Sequence, residues 1–285
     1  MNEKVTPNMD KDTVESFGDE WSRFDQTGMS EQEAEKVFGE YFSIFPWTDL
    51  PARAEGFDMG CESGRWARWV APRVGRLHCI DPSSAIDVAK VNLAGHGNVA
   101  FHKASVDTVV TLSPDSQDFG YSLGVLHHVP DTQAAILSCV ELLKPGAPLL
   151  LYLYYAFDNR PWWFRALWRG SDLARRFINR LPPTIKHWVT DAIAVLVYWP
   201  LARLSRVLEN YGASVGGLPL SYYRHHSFYT MRTDARDRFG TPLEHRFSRG
   251  QIAAMMRRAG LIDVRFSEGA PYWCAVGFKS LPPSN

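Results

Sequence analysis

Two acids on either side of a glycine turn are the residues of this chain best suited to binding a ligand. Asp58 opens an Asp-x-Gly-x-x-x-Gly run that contains Gly60 and Gly64, and Asp81 follows the turn by about twenty residues. Glycines allow the backbone to approach a ligand closely, and an acid at the end of the next strand can accept hydrogen bonds from ribose hydroxyls. The pattern therefore predicts a nucleoside site at the edge of an open α/β sheet.

This turn differs from the turns that bind dinucleotides. Those turns carry G-x-G-x-x-G, in which the second glycine makes room for a pyrophosphate. Here one acid, Asp58, opens the turn, and a second acid, Glu62, lies in its middle. A carboxylate is a poor neighbour for phosphate but a good acceptor for an ammonium group. The turn therefore favours a ligand that carries an ammonium group over one that carries a pyrophosphate.

The elements around the turn alternate between apolar strands and helices, which predicts a parallel sheet with helices on its faces. The unbroken apolar run 149–154 is typical of a strand that is buried on both faces. A capping box from Ser248 to Gln251 begins a last helix, and two further strands follow it. The first predicted strand ends at Asp58; the others cover 77–80, 99–102, 119–123, 149–154, 262–267 and 272–278, and the predicted helices of this part cover 64–70, 84–93, 132–142 and 251–259.

A second motif follows the fourth strand, where residues 124–131 read Gly-Val-Leu-His-His-Val-Pro-Asp. Together with the glycine turn, this run resembles class I S-adenosylmethionine (SAM) methyltransferases of the kind that act on small molecules. The resemblance covers residues 54–155 and 248–280. It implies an α/β fold with a doubly wound, mostly parallel seven-stranded sheet of the Rossmann-like methyltransferase type, interrupted by a helical insertion, and SAM as the cofactor.

The resemblance also implies which residues contact the cofactor. Asp81 would hold the ribose, and Asp58 would lie near the amino-acid tail. Two positions depart from the family pattern, because Glu62 replaces the middle glycine and Ser105 replaces an acid that binds the adenine amino group. Glu62 could crowd the cofactor, or it could hold the ammonium group or a ribose hydroxyl. The predicted cofactor-binding residues are Trp21, Asp58, Gly60, Cys61, Glu62, Gly64, Asp81, Pro82, Ser83, Ser105, Val106, Leu123 and Gly124.

His127 and His128 lie just beyond the fourth strand, near the position at which the family transfers the methyl group. If the acceptor is a hydroxyl, a general base accelerates transfer by roughly 10²–10⁴-fold, and a histidine titrates close to neutral pH. Either histidine could be this base. The alternative for each is a packed side chain that donates a hydrogen bond to a backbone carbonyl.

Composition restricts the classes of partner. Acids and bases balance at 31 each, so no overall positive field attracts nucleic acid. The four cysteines lack metal-binding spacing and suit a reducing compartment, and we expect neither a disulfide framework nor a metal site. The N-terminus is polar and does not resemble a signal peptide. These features predict a cytoplasmic protein whose partner is a small molecule, and they leave a homodimer open.

The chain is expected to have three parts. Residues 1–53 are predicted to form an N-terminal helical lid, of which 1–12 look disordered. The SAM-binding core is assigned to 54–155 and 248–285, and a helical and aromatic insertion, 156–247, is expected to cover the substrate site.

The insertion is rich in tryptophan and arginine between residues 160 and 210 and has a nearly continuous apolar stretch, 192–204, that is interrupted by Pro200. This stretch is too short to cross a bilayer. One interpretation is a helical cap that packs its apolar face on the sheet domain. The other is an interfacial helix that touches a membrane or takes a lipid-linked substrate. The cap is the favoured interpretation.

The residues expected to contact the substrate are Tyr154, Asp158, Tyr223, His226, Arg238 and His245. An alternative for Arg238, Glu244 and Arg246 is that they form surface ion pairs, which contribute little to stability.

The chain is therefore expected to be a SAM-dependent methyltransferase that modifies a small molecule, such as a sugar or a secondary metabolite, at a hydroxyl group. Two alternatives remain open at this point. The fold could have lost or altered its transfer chemistry, as Glu62 in the glycine turn would allow. The enzyme could instead act at a membrane on a lipid-linked acceptor.

Overall fold

The computed structural model of the protein describes residues 8–24, 28–108 and 112–282. These residues form one seven-stranded sheet with the strand order β3-β2-β1-β4-β5-β7-β6. The first five strands are parallel, and β7 pairs antiparallel with both β5 and β6. The strands are Glu55–Met59 (β1), Arg76–Ile80 (β2), Val99–His102 (β3), Phe119–Leu123 (β4), Pro148–Tyr152 (β5), Leu261–Phe266 (β6) and Cys274–Lys279 (β7).

Ten α-helices accompany the sheet in the described part of the chain. They are Lys11–Arg23 (α1), Glu31–Tyr41 (α2), Ala67–Val70 (α3), Ala85–Asn92 (α4), Thr132–Leu142 (α5), Trp162–Ile178 (α6), Pro183–Ile193 (α7), Trp199–Asn210 (α8), Phe228–Gly240 (α9) and Arg249–Arg258 (α10). The predicted capping box is present at the start of α10, where Ser248 and Gln251 exchange side-chain and backbone hydrogen bonds. Helix α5 is capped by the Asp131 side chain, which accepts a hydrogen bond from the backbone N–H of Ala134.

The sheet has an apolar core on each face, as expected for a doubly wound fold. Phe57 and Met59 of β1 belong to one core, together with side chains of α5 and α10. Cys79 and Tyr121 belong to the core on the other face, together with side chains of α2, α3 and α4. Successive residues of a strand point to opposite faces, so the intervening Asp58 lies on the face of Cys79 and Tyr121.

The chain divides into two compact units. The first contains 1–22, 35–156 and 243–285, which include the whole sheet, and the second contains 23–34 and 157–242. The second unit has a small core of its own, formed around Tyr198, Met231 and Phe239. The predicted lid, 1–53, is therefore not a unit of its own, because its residues are shared between the two units.

Two local expectations differ from the structure. Residues 8–12 were expected to be disordered, but Lys11 already begins α1 and Asn8 makes hydrogen bonds to Asp107 and Asp131. Residues 1–7 lie outside the described residues. Pro200 does not interrupt the apolar stretch, because the chain is helical on both sides of it. A π-helical segment, 194–198, joins α7 to α8.

Within the described ranges, no helix has the length and apolar character needed to cross a bilayer.

Candidate active site

A cavity lies in the first unit beyond the carboxyl ends of β1, β2 and β4. The space within it that protein atoms do not fill, including the part open to solvent, is about 640 Å³. Three parts of the chain form its walls: the glycine turn, the loops after β3 and β4, and the N-terminal segment. The lining residues are Asn8, Met9, Asp10, Thr13, Val14, Phe17, Met59, Gly60, Glu62, Ile80, Asp81, Pro82, Ser83, Ala104, Ser105, Val106, Val125, Leu126, His128 and Val129.

Asp81 is on the wall of this cavity, and its carboxylate is held in place by three donors. One oxygen accepts the backbone N–H of Ser83 at 2.8 Å and the Ser83 hydroxyl at 2.6 Å. The other accepts the backbone N–H of Glu62 at 3.0 Å. Burial raises the pKa of Asp81, while the hydrogen bonds from Ser83 and Glu62 and the charge of Lys103 act against that increase. The carboxylate is thus a rigid acceptor at the position where the sequence predicts a ribose contact.

The glycine turn keeps its backbone shape despite the replacement at its centre. Gly60 has φ +82° and Gly64 has φ +81°. Glu62 has φ +52°, in the left-handed region that normally favours glycine and costs other residues about 1–3 kcal/mol. This conformation directs its N–H to Asp81. Substitution by glutamate therefore retains the turn and adds a carboxylate to the cavity wall.

The carboxylate of Glu62 pairs with Arg65 at 3.3 Å, and the side chains of both residues are largely buried. The guanidinium of Arg65 lies 5.2 Å from the ring centroid of Trp21 and 4.4 Å from that of Trp66. Trp21, which was predicted to contact the cofactor, is buried and does not line the cavity. In the structure it packs on Arg65 and so supports the residue that holds Glu62.

Asp58 is fully buried and does not line the cavity. Desolvation raises its pKa to about 8, and the nearby Tyr121 hydroxyl and Arg65 oppose that increase. Neither carboxyl oxygen has a hydrogen bond of normal geometry within the described residues. The predicted contact between Asp58 and a ligand is therefore absent from the cavity wall, and this carboxyl is a neutral buried group below about pH 8.

Ser105 and Val106 line the cavity where the loop after β3 begins. The Ser105 hydroxyl is 2.6 Å from a carboxylate oxygen of Asp107, to which it donates. A hydroxyl whose proton is used in this way still has an acceptor lone pair. The geometry is compatible with the predicted role of Ser105 as an acceptor for an amino group.

The N-terminal segment, which the sequence predicts as part of a lid, supplies one wall of the cavity. Asn8 donates its backbone N–H to Asp107 at 2.7 Å and exchanges two hydrogen bonds with the backbone of Asp131, at 2.7 and 2.9 Å. Thr13, one turn into α1, accepts the backbone N–H of Leu243 through its hydroxyl at 3.2 Å. These contacts fasten residues 8–17 across the loops after β3 and β4.

His128 lines the cavity, and its ring orientation is fixed. Nδ1 lies 2.6 Å from the carbonyl oxygen of Leu243, so Nδ1 carries the proton and donates it. The ring also makes an edge contact with Phe17 at 4.9 Å between centroids. In this neutral tautomer the basic lone pair is on Nε2.

His127 is in a different environment from His128. It is fully buried, it does not line the cavity, and neither ring nitrogen has a hydrogen-bond partner within the described residues. Its ring stacks on Tyr154 with the centroids 3.9 Å apart. Burial, followed by His128, Arg246 and His245, holds the pKa of His127 well below its usual range. A histidine with such a low pKa is a weak base.

Residues 244–246 lie beside these histidines. His245 donates its backbone N–H to the carbonyl oxygen of His127 at 2.9 Å. Arg246 pairs with Glu244 at 2.7 Å and lies 4.9 Å from the ring centroid of Tyr154. The side chain of Glu244 is only 1% exposed and that of Arg246 11%. The alternative of a surface ion pair is therefore wrong for these two residues, because the pair is buried.

The other predicted substrate residues belong to the second unit. The ring of Tyr222 makes an edge contact with that of Tyr223, with centroids 5.3 Å apart. It also contacts the tilted ring of His226, with centroids 4.5 Å apart. Burial raises the pKa of the Tyr223 hydroxyl. Arg238 lies 3.8 Å from Asp172 and over the ring of Trp168. Asp158 is exposed. The predicted site residues that do not line the cavity are Trp21, Asp58, Cys61, Gly64, Leu123, Gly124, His127, Tyr154, Asp158, Tyr223, His226, Arg238 and His245.

Comparisons with known proteins agree with this architecture. A family model described as a methyltransferase domain matches residues 57–151. The ubiquinone biosynthesis O-methyltransferase of Nitrosomonas europaea is 30% identical over 164 residues, which cover 52% of this chain and 68% of that protein. The protein of the same name from Dechloromonas aromatica is 32% identical over 160 residues, covering 51% of this chain and 68% of its own length.

A solved structure shares the fold. An O-methyltransferase family protein from Burkholderia thailandensis matches with a TM-score of 0.51 and 14% identity, over 87% of this chain and 56% of that chain. This chain therefore spans little more than half of that protein. With the sheet order, the glycine turn and the relatives taken together, the chain belongs to the class I SAM-dependent methyltransferases. It is an enzyme, and its cofactor is SAM.

The residues of the cavity fit this cofactor. A preorganised carboxylate, Asp81, is available for ribose hydroxyls, and Ser105 and Val106 lie on the wall predicted for the adenine. Glu62 adds a negative charge to the same cavity. Of the two predicted acids, Asp81 lines the cavity and Asp58 does not.

Proposed function

We propose that this enzyme transfers the methyl group of SAM to a hydroxyl group of a small molecule, with His128 as the general base. The observation that carries the proposal is the combination of a fixed Nδ1–H tautomer and a position on the cavity wall. A base must present its lone pair to the space that the acceptor enters. Of the two adjacent histidines, His128 is the one that lines the cavity; its Nε2 is itself buried, so the acceptor must reach this atom from the cavity side.

Different residues of the cavity would contact different parts of the cofactor. Asp81 would accept hydrogen bonds from the ribose, Ser105 would accept one from the adenine amino group, and Glu62 would lie near the cationic tail. Bound SAM supplies a methyl group that is already activated as an electrophile. The tasks left to the protein are to hold the acceptor, to exclude water and to remove a proton. Positioning of the acceptor alone can lower the activation free energy by about 7–11 kcal/mol.

His128 would act on the acceptor proton. Its Nε2 would accept the hydroxyl proton, while the bond from Nδ1–H to the Leu243 carbonyl keeps the ring in place and stabilises the imidazolium that forms. Phe17 restricts rotation of the ring from the N-terminal wall. His127 would support this arrangement by packing between His128 and Tyr154.

Two further observations support this proposal. The relatives from Nitrosomonas europaea and Dechloromonas aromatica are named O-methyltransferases, which favours oxygen as the transfer atom. All four cysteines are free and buried, which suits a protein of the reducing cytoplasm.

The test has two stages. Isothermal titration calorimetry with SAM and S-adenosylhomocysteine should show saturable binding of both. The SAM-loaded protein is then incubated with small alcohols, phenols, sugars and matched amines, and release of S-adenosylhomocysteine is measured. We expect turnover with hydroxyl acceptors and loss of that turnover in His128→Ala. Turnover with the amines alone would contradict the proposal.

A further inference from the structure

The exposed apolar side chains of this protein are concentrated on three helices of the second unit. In the described part of the chain, 19 large apolar side chains are exposed, and 15 of them lie between residues 162 and 211. We call this set the outer face of α6–α8. Its members are Trp162, Trp163, Leu167, Leu173, Phe177, Ile185, Trp188, Val195, Leu196, Val197, Trp199, Leu201, Leu204, Val207 and Tyr211. A patch of this kind on a protein surface marks an interaction site.

Helix α6 separates its apolar and basic side chains. At 100° per residue, its five members of the outer face fall within an arc of about 140°. The exposed Arg165, Arg169 and Arg176 border that arc on one side. The remaining side of the helix carries the partly buried Trp168 and the buried Arg175, which pairs with Asp172 at 2.8 Å. The outer face of α6 is therefore distinct from the side that packs within the unit.

Helices α7 and α8 form a second row. The π-helical segment 194–198 joins them, so the exposed apolar positions continue from Ile185 to Tyr211 with few interruptions. Trp188 and Leu196 are 75% and 73% exposed. The opposite side of this pair of helices is buried, because Ala194, Tyr198 and Ala202 belong to the core that this unit forms with α9. The outer face is thus not required for the packing of the unit itself.

The charge of this region differs from that of the whole chain. Acids and bases balance over the full sequence, but residues 160–206 contain nine arginines and lysines and only two acids. Arginine beside exposed tryptophan, leucine and phenylalanine is the composition of helices that lie in the interface of a bilayer containing anionic lipids. A small soluble partner would not require apolar side chains along both rows.

We propose that the outer face of α6–α8 binds the surface of an anionic lipid bilayer, with the helices parallel to the membrane plane. The apolar side chains enter the boundary between headgroups and acyl chains, and the flanking arginines contact lipid phosphates. This inference goes beyond methyl transfer and does not depend on the acceptor, so each proposal can fail without the other.

The test is flotation of the full-length protein with vesicles. We expect the protein to float with vesicles of equimolar phosphatidylglycerol and phosphatidylcholine and to remain at the bottom with phosphatidylcholine alone. Replacement of two exposed residues, Trp188→Glu with Leu196→Glu, should abolish flotation. Its matched control is Val91→Glu with Leu281→Glu, which changes two comparably exposed apolar residues of the first unit by the same charge and should float like the wild type.

A second pair of variants tests whether the exposed arginines of α6 contribute to vesicle binding. Arg165→Gln with Arg169→Gln should weaken vesicle binding by roughly fivefold for each arginine removed. Arg53→Gln with Arg257→Gln removes two exposed arginines of the first unit and should have little effect. All variants are checked by circular dichroism and by calorimetry with SAM, which do not depend on this surface.

Three results would overturn the proposal. The first is a wild-type protein that does not float with anionic vesicles, and the second is equal flotation with phosphatidylcholine alone. The third is a wild-type dimer in light scattering that becomes a monomer in Trp188→Glu with Leu196→Glu, without flotation of either, since a second copy would then be the occupant.

Discussion

The wall of the SAM cavity and the buried layer behind it contain residues of the same motifs but differ in what their side chains can do. Asp81 and His128 line the cavity, and hydrogen bonds fix the orientation of each side chain. Asp58 and His127 are in the buried layer, where desolvation shifts the pKa of each toward its neutral form. The comparison indicates that one member of each pair serves the ligand and the other serves the fold.

This difference has a simple physical origin. A charged group on the wall can be stabilised by fixed donors and later by a ligand, whereas a charged group in the buried layer has neither. Substitutions can therefore distinguish the roles of the two members of each pair. The wall variants should change binding or turnover, and the buried-layer variants should change stability.

The largest effect is expected at His128. Removing a general base in His128→Ala should lower kcat by about 10²–10⁴-fold with an acceptor found in the screen. The measurement is steady-state release of S-adenosylhomocysteine. The control, His127→Phe, retains a ring that can stack on Tyr154 and should keep most of the activity. Equal losses of kcat in the two variants would contradict the assignment of His128, rather than His127, as the general base.

The next effect is expected at Asp81. Asp81→Asn should weaken SAM binding by about 10- to 100-fold, because each hydrogen bond to a charged group contributes roughly 1.5–3 kcal/mol. Calorimetry provides the affinity, and thermal unfolding confirms that the variant is folded. Asp58→Asn is the matched control, since the same substitution in the buried layer should leave the affinity nearly unchanged. A large loss in Asp58→Asn would show that the ligand reaches behind the wall.

Asp58 should instead control how stability depends on pH. Its folded-state pKa of about 8 is above the usual aspartate value of 3.8, so between these values the folded protein retains a proton that the unfolded chain releases. Stability from this group is therefore fully present below the unfolded pKa and is lost as pH rises, by up to ~1.4 kcal/mol per pH unit.

Urea denaturation of wild type and Asp58→Asn at several pH values between 6.5 and 8 measures this slope. The variant should have a flatter dependence than the wild type. His127, whose pKa burial lowers, is present in both proteins, so its contribution to the slope cancels in the comparison. The same slope in both proteins would mean that Asp58 is already charged when the protein is folded.

The smallest effect is expected at Glu62. Glu62→Gln retains the side-chain volume and the left-handed backbone but removes the charge from the wall. SAM affinity should fall several-fold and S-adenosylhomocysteine affinity less, because the product lacks the sulfonium charge. Competition calorimetry with the two ligands gives the ratio. Tighter SAM binding in the variant would show that this carboxylate crowds the ligand.

Much of the fold could be predicted from the sequence because its signals are local. The predicted bounds of β3, β4 and α5 coincide with those of the structure, and the other elements of the sheet domain differ by a few residues at their ends. Apolar runs, the capping box of α10 and the Lys-Pro-Gly sequence after α5 are readable without tertiary information. The doubly wound, mostly parallel seven-stranded sheet was implied by the family resemblance, and the structure confirms it.

The division between wall and buried layer could not be predicted as easily. Alternation along β1 does separate Asp58 from Phe57 and Met59, and this signal could have placed Asp58 in the core with Tyr121. No local signal distinguishes His127 from His128, because their difference depends on Leu243, which is more than a hundred residues away. The ordered conformation of residues 8–12 was missed for the same reason, since a polar segment looks disordered until its distant partners are known.

The hydrogen bonds of Asn8 bear on how the cofactor is exchanged. The segment that begins there closes one side of the pocket, and three hydrogen bonds anchor it to loops on the opposite side. A cofactor that enters or leaves on this side of the pocket would have to displace the anchored segment, so those three hydrogen bonds would have to break. Exchange through the part of the pocket that is open to solvent would leave them intact.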